Sequence, residues 1–471
     1  MRDSVSFVVG ATLSATLMAA QPATVGGVGF AGAPAEAAAR SQGVDGVLGF
    51  ADTPAGAKAD ADDTSKPEGP SAAYADSALL RGARFSLKQE LANRIKKPYP
   101  LANNRTFFRV EYEKHFLDNF YLHFDVMETA YWGKDHRAKA RSVDVFTEST
   151  TRDAYLQFSR ANTSVKMGKQ ILIWGESDAG AVTDVISPRN LSELFFIPLE
   201  QSRIGQFMLT VDQFSPLGDW SFFHVPDAQF NQYPEKGTAY FIDPFEGVAE
   251  ARTADKKLRE YGLRWKKTFG RSDISVMAAR LIDNDYVIRS DAPASDARPL
   301  IRRDAQRFNM LGATFSHVTG SLLFSAEVAK KLPKAFLVPA SRRIVQKDVV
   351  DTSLRVEYSL GNAGNHSVSL EAVNKRVLDW DKRILPTPKN SNSLVLGWRN
   401  SFLNENLTVD WLTVYNPNQT SFQHSLFLGY KLDGRVSLSL DAFYLSVKDR
   451  NNDLYAYRGQ NNAVFRILYQ F

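Results

Sequence analysis

Few side chains in this sequence could do covalent chemistry. There are seven histidines and no cysteine, which excludes thiol nucleophiles, thiolate metal sites and disulfides. The histidines, among them His115, His123, His136 and His224, show no His-x-x-x-His spacing, so no metal or other cofactor is expected. His123 and Asp125 share one face of an alternating segment, as a hydrolase dyad would, but no serine is placed to complete a nucleophile–base pair. The expectation is a protein that is not an enzyme. What remains is charge. Glu176, Asp178, Asp184, Arg189 and Arg203 crowd one stretch, Lys169 precedes it, and Arg109, Arg264 and Arg355 recur at alternating positions elsewhere. Such residues steer and screen ions without forming bonds.

The elements that must position them are strands. From Arg81 onward the chain falls into alternating segments of roughly 9 to 13 residues, the length of a tilted membrane strand. Phe120, Leu122, Phe124 and Val126 keep one apolar parity, as do Leu322, Phe324, Ala326 and Val328, and Leu354, Val356, Tyr358 and Leu360. Leu394, Leu396 and Trp398 repeat it, then Val436, Leu438, Leu440, Ala442 and Tyr444. Opposite parities carry His123, Asp125, Glu327, Arg355, Glu357 and Asp441. Tight turns are marked at Leu117-Asp118-Asn119, Ala161-Asn162-Thr163, Pro216-Leu217-Gly218, Gly270-Arg271, Thr319-Gly320, Gly361 to Gly364, Asn404-Glu405-Asn406 and Asp433-Gly434. Longer polar connections lie between them: Trp132–Ser149, Trp174–Arg203, Pro226–Asp255, Asp283–Arg303, Pro333–Asp348 and Leu378–Asn390. Strict short–long alternation predicts an all-β fold: a transmembrane antiparallel up-and-down β-barrel of about 18 strands (16 to 20).

The ends fit that reading. Ala463, Phe465, Ile467, Tyr469 and Phe471 form one face of a last strand on which the chain stops, as a barrel closing its own edge requires. A terminal Phe with apolar residues at every second position before it resembles the C-terminal signal of bacterial outer-membrane proteins. That resemblance implies the barrel-assembly machinery as a partner, through Phe471, Tyr469 and Ile467. Residues 1–37 read as an export signal, with Arg2, an apolar Val5–Ala20 and a cleavage candidate at Ala35-Glu36-Ala37. Residues 38–80 have almost no large apolar side chains and read as a flexible periplasmic leader, leaving 81–471 for the barrel. Mean hydropathy is −0.28 and no later apolar run approaches 20 residues, so helical spans are excluded. Net charge is +5, interspersed with acids along strands, which argues against nucleic-acid binding.

The stretch Met167 to Leu194, MGKQILIWGESDAGAVTDVISPRNLSEL, follows the fifth strand and precedes a sixth near Phe207. Val182, Val185, Ile186, Leu191, Leu194, Phe195 and Phe196 need burial, so the segment is expected to fold into the lumen as a constriction. General porins resemble it in placing their constriction loop after the fifth strand. Asp153-Ala154-Tyr155, Gly168-Lys169-Gln170, Trp174-Gly175-Glu176-Ser177 and Ser187-Pro188-Arg189 together resemble the domain-of-unknown-function 1302 group of proteobacterial outer-membrane proteins and, more distantly, the alginate-export barrels. The match covers about fifty residues. It implies an outer-membrane channel, with an anionic polysaccharide as cargo in the more distant family. Inward-facing signs are balanced: Lys88, Lys166, Lys266, Lys331 and Arg466 interleave with Glu90, Glu111, Glu113, Asp153, Glu260 and Asp410. That departs from the basic conduit an anionic polymer needs.

The reading is a porin-like channel in the bacterial cell outer membrane, in contact with its lipid, for passive passage of small polar or charged solutes or an exported polymer. Two alternatives stand beside it: a plugged accessory barrel working with a periplasmic exporter, and an outer-membrane hydrolase. Tyr131, Trp132, Trp220, Tyr261, Trp265, Trp398, Trp411 and Tyr469 are read first as an interfacial aromatic girdle.

Overall fold

A computed structural model describes residues 82–177, 180, 182–198, 201–242, 257–290, 301–338, 343–360, 366–385, 387–450 and 452–471. The expected signal and leader, Asp178 and the turn at Gly361 to Gly364 lie outside them.

The first nine strands are β1 Ala83–Arg94, β2 Leu101–Phe116, β3 Phe120–Trp132, β4 Val145–Arg160, β5 Thr163–Gln170, β6 Gln206–Gln213, β7 Asp219–Val225, β8 Glu260–Phe269 and β9 Ser272–Ile282. A short hairpin follows, β10 Val287–Ser290 with β11 Ile301–Asp304. The rest are β12 Arg307–Thr319, β13 Leu322–Val338, β14 Arg343–Leu360, β15 His366–Val377, β16 Asn390–Phe402, β17 Leu407–Asn416, β18 Ser421–Lys431, β19 Val436–Val447 and β20 Asn462–Gln470. All but β10 and β11 join one eighteen-stranded sheet in which each strand pairs antiparallel with its neighbours. β20 pairs with β1 from Ser86↔Gln470 to Arg94↔Asn462, and the Phe471 amide donates to the Phe85 carbonyl at 3.0 Å. The sheet is a closed barrel with no free edge. Both ends of the sheet meet at the short-turn rim.

Alternation decides the two faces. On β19, Leu440 and Tyr444 are exposed while Ser439, Asp441, Phe443 and Leu445 are buried. The same holds round the wall, with Leu122, Phe124, Leu354, Val356, Phe465 and Ile467 outward and Lys88, Asp125, Glu327, Arg355 and Arg466 inward. Inward charges pair across strands: Arg466 bridges Glu90 at 2.7 Å and Asp441, and Lys331 meets Asp351 at 2.5 Å. An apolar exterior with a polar, ion-paired interior is the pattern of a barrel wall set in lipid.

Three expectations are corrected. Pro333–Asp348 is not a loop. β13 and β14 run on as a paired extension from Lys334↔Lys347 to Val338↔Arg343. Pro333 sits where the register shifts between Lys331 and Lys334, a bulge that tolerates a residue with no amide hydrogen. The connection after β3 is shorter than expected, since β4 begins at Val145 and only a one-and-a-half-turn helix, α1 His136–Arg141, intervenes. Alternation is also not strict. Connections 95–100 and 417–420 are short although they lie on the long-loop rim.

Candidate functional site: the loop across the lumen

The loop from 171 to 205 leaves β5 through a fixed launching point. Tyr155 on β4 lies opposite Gly168 on β5, where φ is +142°. A Cβ at Gly168 would fall 2.2 Å from the Ala154 carbonyl oxygen and 3.0 Å from the Tyr155 Cβ, so only glycine lets the two strands meet there. When β5 ends, the Ile171 amide has no ladder partner, and Asp153 Oδ1 accepts from it at 3.0 Å. Gln170 Nε2 donates to the Met208 carbonyl at 3.0 Å, tying the exit to β6. The Asp-Ala-Tyr and Gly-Lys-Gln words are therefore a hinge, built to turn the chain inward.

The first lobe of the loop crosses to the far wall. Ser187 Oγ accepts from the Leu172 amide at 2.8 Å and donates to its carbonyl at 3.1 Å, closing the lobe on itself. Trp174 is buried edge-on against Phe223, 5.0 Å between centroids. Gly175 allows a close return, since a Cβ there would stand 2.7 Å from the Asp184 Cβ. At the tip, the amides of Glu176 and Ser177 both donate to Glu327 of β13. The Thr183 hydroxyl (2.8 Å) and amide (3.3 Å) reach the other oxygen of the same carboxylate. Ser177 Oγ donates to Glu371 of β15. β15 lies eight steps from β5 in a ring of eighteen, so the lobe spans the lumen almost diametrically.

The second lobe returns. Asn190 donates to Ser202 and Ile204 to Pro188, both at 2.9 Å, so residues 188–190 and 202–204 pair as a ribbon. Asp184 is held by Arg203, with Arg189 at 3.9 Å. Burial, and then the like charge of Arg203, push the Arg189 guanidinium down to about 10. Glu193 is bound by Arg105 of β2 and by His136 Nε2 at 2.9 Å. Burial alone would raise the Glu193 carboxyl, but Arg105 and His136 outweigh it and hold the group well below the usual carboxylate range. Leu194 and Phe196 pack with Val395, Leu412, Phe443 and Tyr240, while Val182 and Ile186 pack with Met208, Met277 and Phe308. Two opposed walls thus clamp the loop by apolar contact.

Of the residues read as a constriction, Asp184, Arg189 and Arg203 come together inside the barrel. Glu176 lies at the far wall and Lys169 at the root. Arg109, Arg264 and Arg355 do not join them. Arg109 forks onto Asp125 at 2.7 and 2.6 Å, Arg355 pairs with Glu357, and Arg264 faces inward on β8. None of the three lines the two cavities that flank the loop. Sequence reasoning missed the anchoring role of Glu327 and Glu371 and the strap made by Arg105, Glu193 and His136. His123 lies tilted against Tyr155, 5.1 Å between centroids, and faces Glu113 at 3.7 Å, while Asp125 is occupied by Arg109.

The flanking cavities differ in charge. One, of about 110 Å³, is lined by Arg105, Arg137, Arg152, Lys169 and Arg203 against Glu90, Glu148 and Glu193. The other, of about 60 Å³, balances Arg189, Lys331, Lys334 and Lys375 with Asp184, Asp283, Asp285 and Asp351.

No family model matches the chain, and no curated protein matches it. Among solved structures, OccAB2 of Acinetobacter baumannii is 12% identical, with 84% of this chain and 99% of that one covered at a TM-score of 0.48. The outer membrane protein OpdK from Pseudomonas aeruginosa is 9% identical, covering 83% and 99% at 0.48. OccK2 (OpdF) of the same organism, in complex with glucuronate, is 13% identical, covering 83% and 98% at 0.47. Likeness at this level decides nothing about this chain; its own geometry does.

Proposed function

We propose that the protein is an outer-membrane channel that passes small polar and charged solutes by diffusion, narrowed by the 171–205 loop. The observation that carries this is the loop's anchorage on Glu327 and Glu371, six and eight strands round the ring of eighteen from the strand it leaves. A closed barrel with an apolar outer face and a charged inner face supports the membrane setting. Asp153-Ala154-Tyr155 and Gly168-Lys169-Gln170, two of the words that resemble the domain-of-unknown-function 1302 group, support the same reading, since they build the hinge that sends the loop inward. In the bacterium, the last strand's Phe471, Tyr469 and Ile467 would be read by the assembly machinery.

Beside the loop, five cations face three carboxylates in the larger cavity, so the narrow zone favours anions. Lys169 and Arg203 are the residues solutes meet there, Asp184 and Arg189 face the smaller cavity, Glu176 sits at the far anchorage, and Arg109, Arg264 and Arg355 belong to the wall. The test is single-channel conductance of refolded protein in planar bilayers, intact and with residues 180–190 deleted. Steady conductance that rises on deletion is the expected result. The apolar clamp on both walls favours a second reading, a plugged accessory barrel serving a periplasmic exporter, and silence from both proteins would favour it over the channel.

A further inference from the structure

The outer wall carries a depression that the channel reading does not use. Outward-facing residues on four neighbouring strands run from the short-turn rim upward as Trp265, Leu263 and Tyr261 on β8, and Val276, Ala278 and Arg280 on β9. They continue as Phe315, Ala313, Leu311 and Asn309 on β12, and Phe324, Ala326, Val328 and Lys330 on β13. Leu263, Val276, Leu311 and Val328 stand proud and exposed, whereas Ala278 and Ala313 leave the surface low between them. The result is an apolar groove of about 680 Å³, open to the outside and floored by the alanines, with Trp220 and Trp265 at its lower end.

Lys330, beside Leu311, lines its upper end, and one step above the groove Tyr261, Arg280 and Asn309 lie abreast in register. Arg280 is exposed, and Lys330 is 47% exposed, with Asp348, 3.9 Å away and 39% exposed, as a weak counter-charge among the described residues. These residues close the apolar band on the long-loop side, at the depth where a lipid headgroup meets its chains. Bilayer chains would cover any apolar wall. A trough that ends at Lys330, with Arg280 and Asn309 one step above it, selects one kind of lipid.

We infer that this groove binds a phosphate-bearing anionic lipid, its acyl chain lying over Ala278 and Ala313 and its phosphate held by Arg280 and Lys330. The occupant follows from charge complementarity at the rim and from an apolar trough that a polar partner would leave empty. The full-length protein, refolded in detergent with phosphatidylglycerol or phosphatidylcholine, is stripped of detergent and its retained lipids are counted by native mass spectrometry. One phosphatidylglycerol retained in preference to phosphatidylcholine is expected. Retention should fall about fivefold for each of Arg280→Ala and Lys330→Ala, and Ala278→Leu with Ala313→Leu should abolish it by filling the trough. All four substitutions face outward, so heat-modifiable migration on gels verifies that each variant is folded. Equal retention of both lipids, or retention unaffected by the filled groove, would overturn the inference. So would an oligomer that dissociates when the groove is filled, which would assign the face to a second copy of the chain. Bilayer conductance plays no part in the readout, so the channel proposal and this one can fail separately.

Discussion

Glu327 shows how one inward carboxylate can set the position of a whole segment. Two backbone amides at the loop tip, with the Thr183 amide and hydroxyl, all converge on it, and it is 4% exposed. An unsatisfied buried donor costs about 1–3 kcal/mol, so Glu327→Ala should weaken the anchorage by about 3 kcal/mol after the freed amides find water. The expected phenotype is a noisier, larger single-channel current. Glu327→Gln, which keeps one acceptor oxygen, should lie between wild type and alanine. A quiet, unchanged current in the alanine variant would show that the apolar clamp holds the loop unaided. Tyr155 and Gly168 make the matching test at the root. Gly168→Ala puts a methyl group into the Ala154 carbonyl and should cost about 3 kcal/mol, read as a fall in refolded yield on heat-modifiable gels. Tyr155→Ala, which only uncovers the wall, should fold.

At the scale of elements, strands were legible because their signal is repeated at every second residue. The parities of Leu354 to Leu360 and of Val436 to Tyr444 are outward in the structure as read. The inward course of the loop was legible too, since Val182, Ile186, Leu191 and Leu194 require burial, and each is at most 5% exposed. Its attachments were not. Nothing local distinguishes Glu327 from Asp125 or Glu357 on the same kind of face; only the closed barrel brings residue 176 beside residue 327. Pro333 misled for a related reason, because a breaker in sequence is tolerated at a bulge that only strand pairing reveals. The Arg105–Glu193–His136 strap belongs to this class of long-range contact, and its pH behaviour has a definite sign. A carboxyl held below its unfolded value contributes in full above that value, about 4.3 for Glu, and is lost as pH falls through the lower folded value. The Glu193 contribution to loop attachment should therefore be constant from pH 7 to 5 and fade only in stronger acid. Arg105→Ala removes the main opposing cation. Limited proteolysis of the loop against pH should then show attachment failing within or above the ordinary carboxylate range. An onset unmoved by the substitution would mean that Glu193 does not hold the loop.

For the molecule as a whole, formal charge misleads. The inward residues balance along the strands, and a reading of the whole lumen gives no preference of sign. The loop changes this by dividing the interior, because its own Arg203 and Glu193 join Arg105, Arg137, Arg152 and Lys169 on the β2–β5 side. Potential in a narrow, poorly screened zone follows the charges lining that zone and not the sum over the barrel. Weak anion preference follows from the excess of cations over carboxylates there, and it should show as the sign of the reversal potential in a potassium chloride gradient. Lys169 is the side chain to change. It stands at the root of the loop, half-buried and lining the cavity, while Arg105 and Arg203 are tied into ion pairs that hold the structure. Lys169→Glu shifts the local balance by two charges and should cut the chloride-to-potassium permeability ratio roughly threefold, bringing it near unity. Raising salt to about 1 M should shrink the difference between the two proteins, since the screening length then falls to about 3 Å. A ratio that ignores Lys169 but follows Lys375→Glu would place the ion path on the other side of the loop, through the smaller cavity. A ratio that ignores both would mean that ions pass clear of the loop, and that the segment crossing the lumen is a brace for the wall with no part in selection.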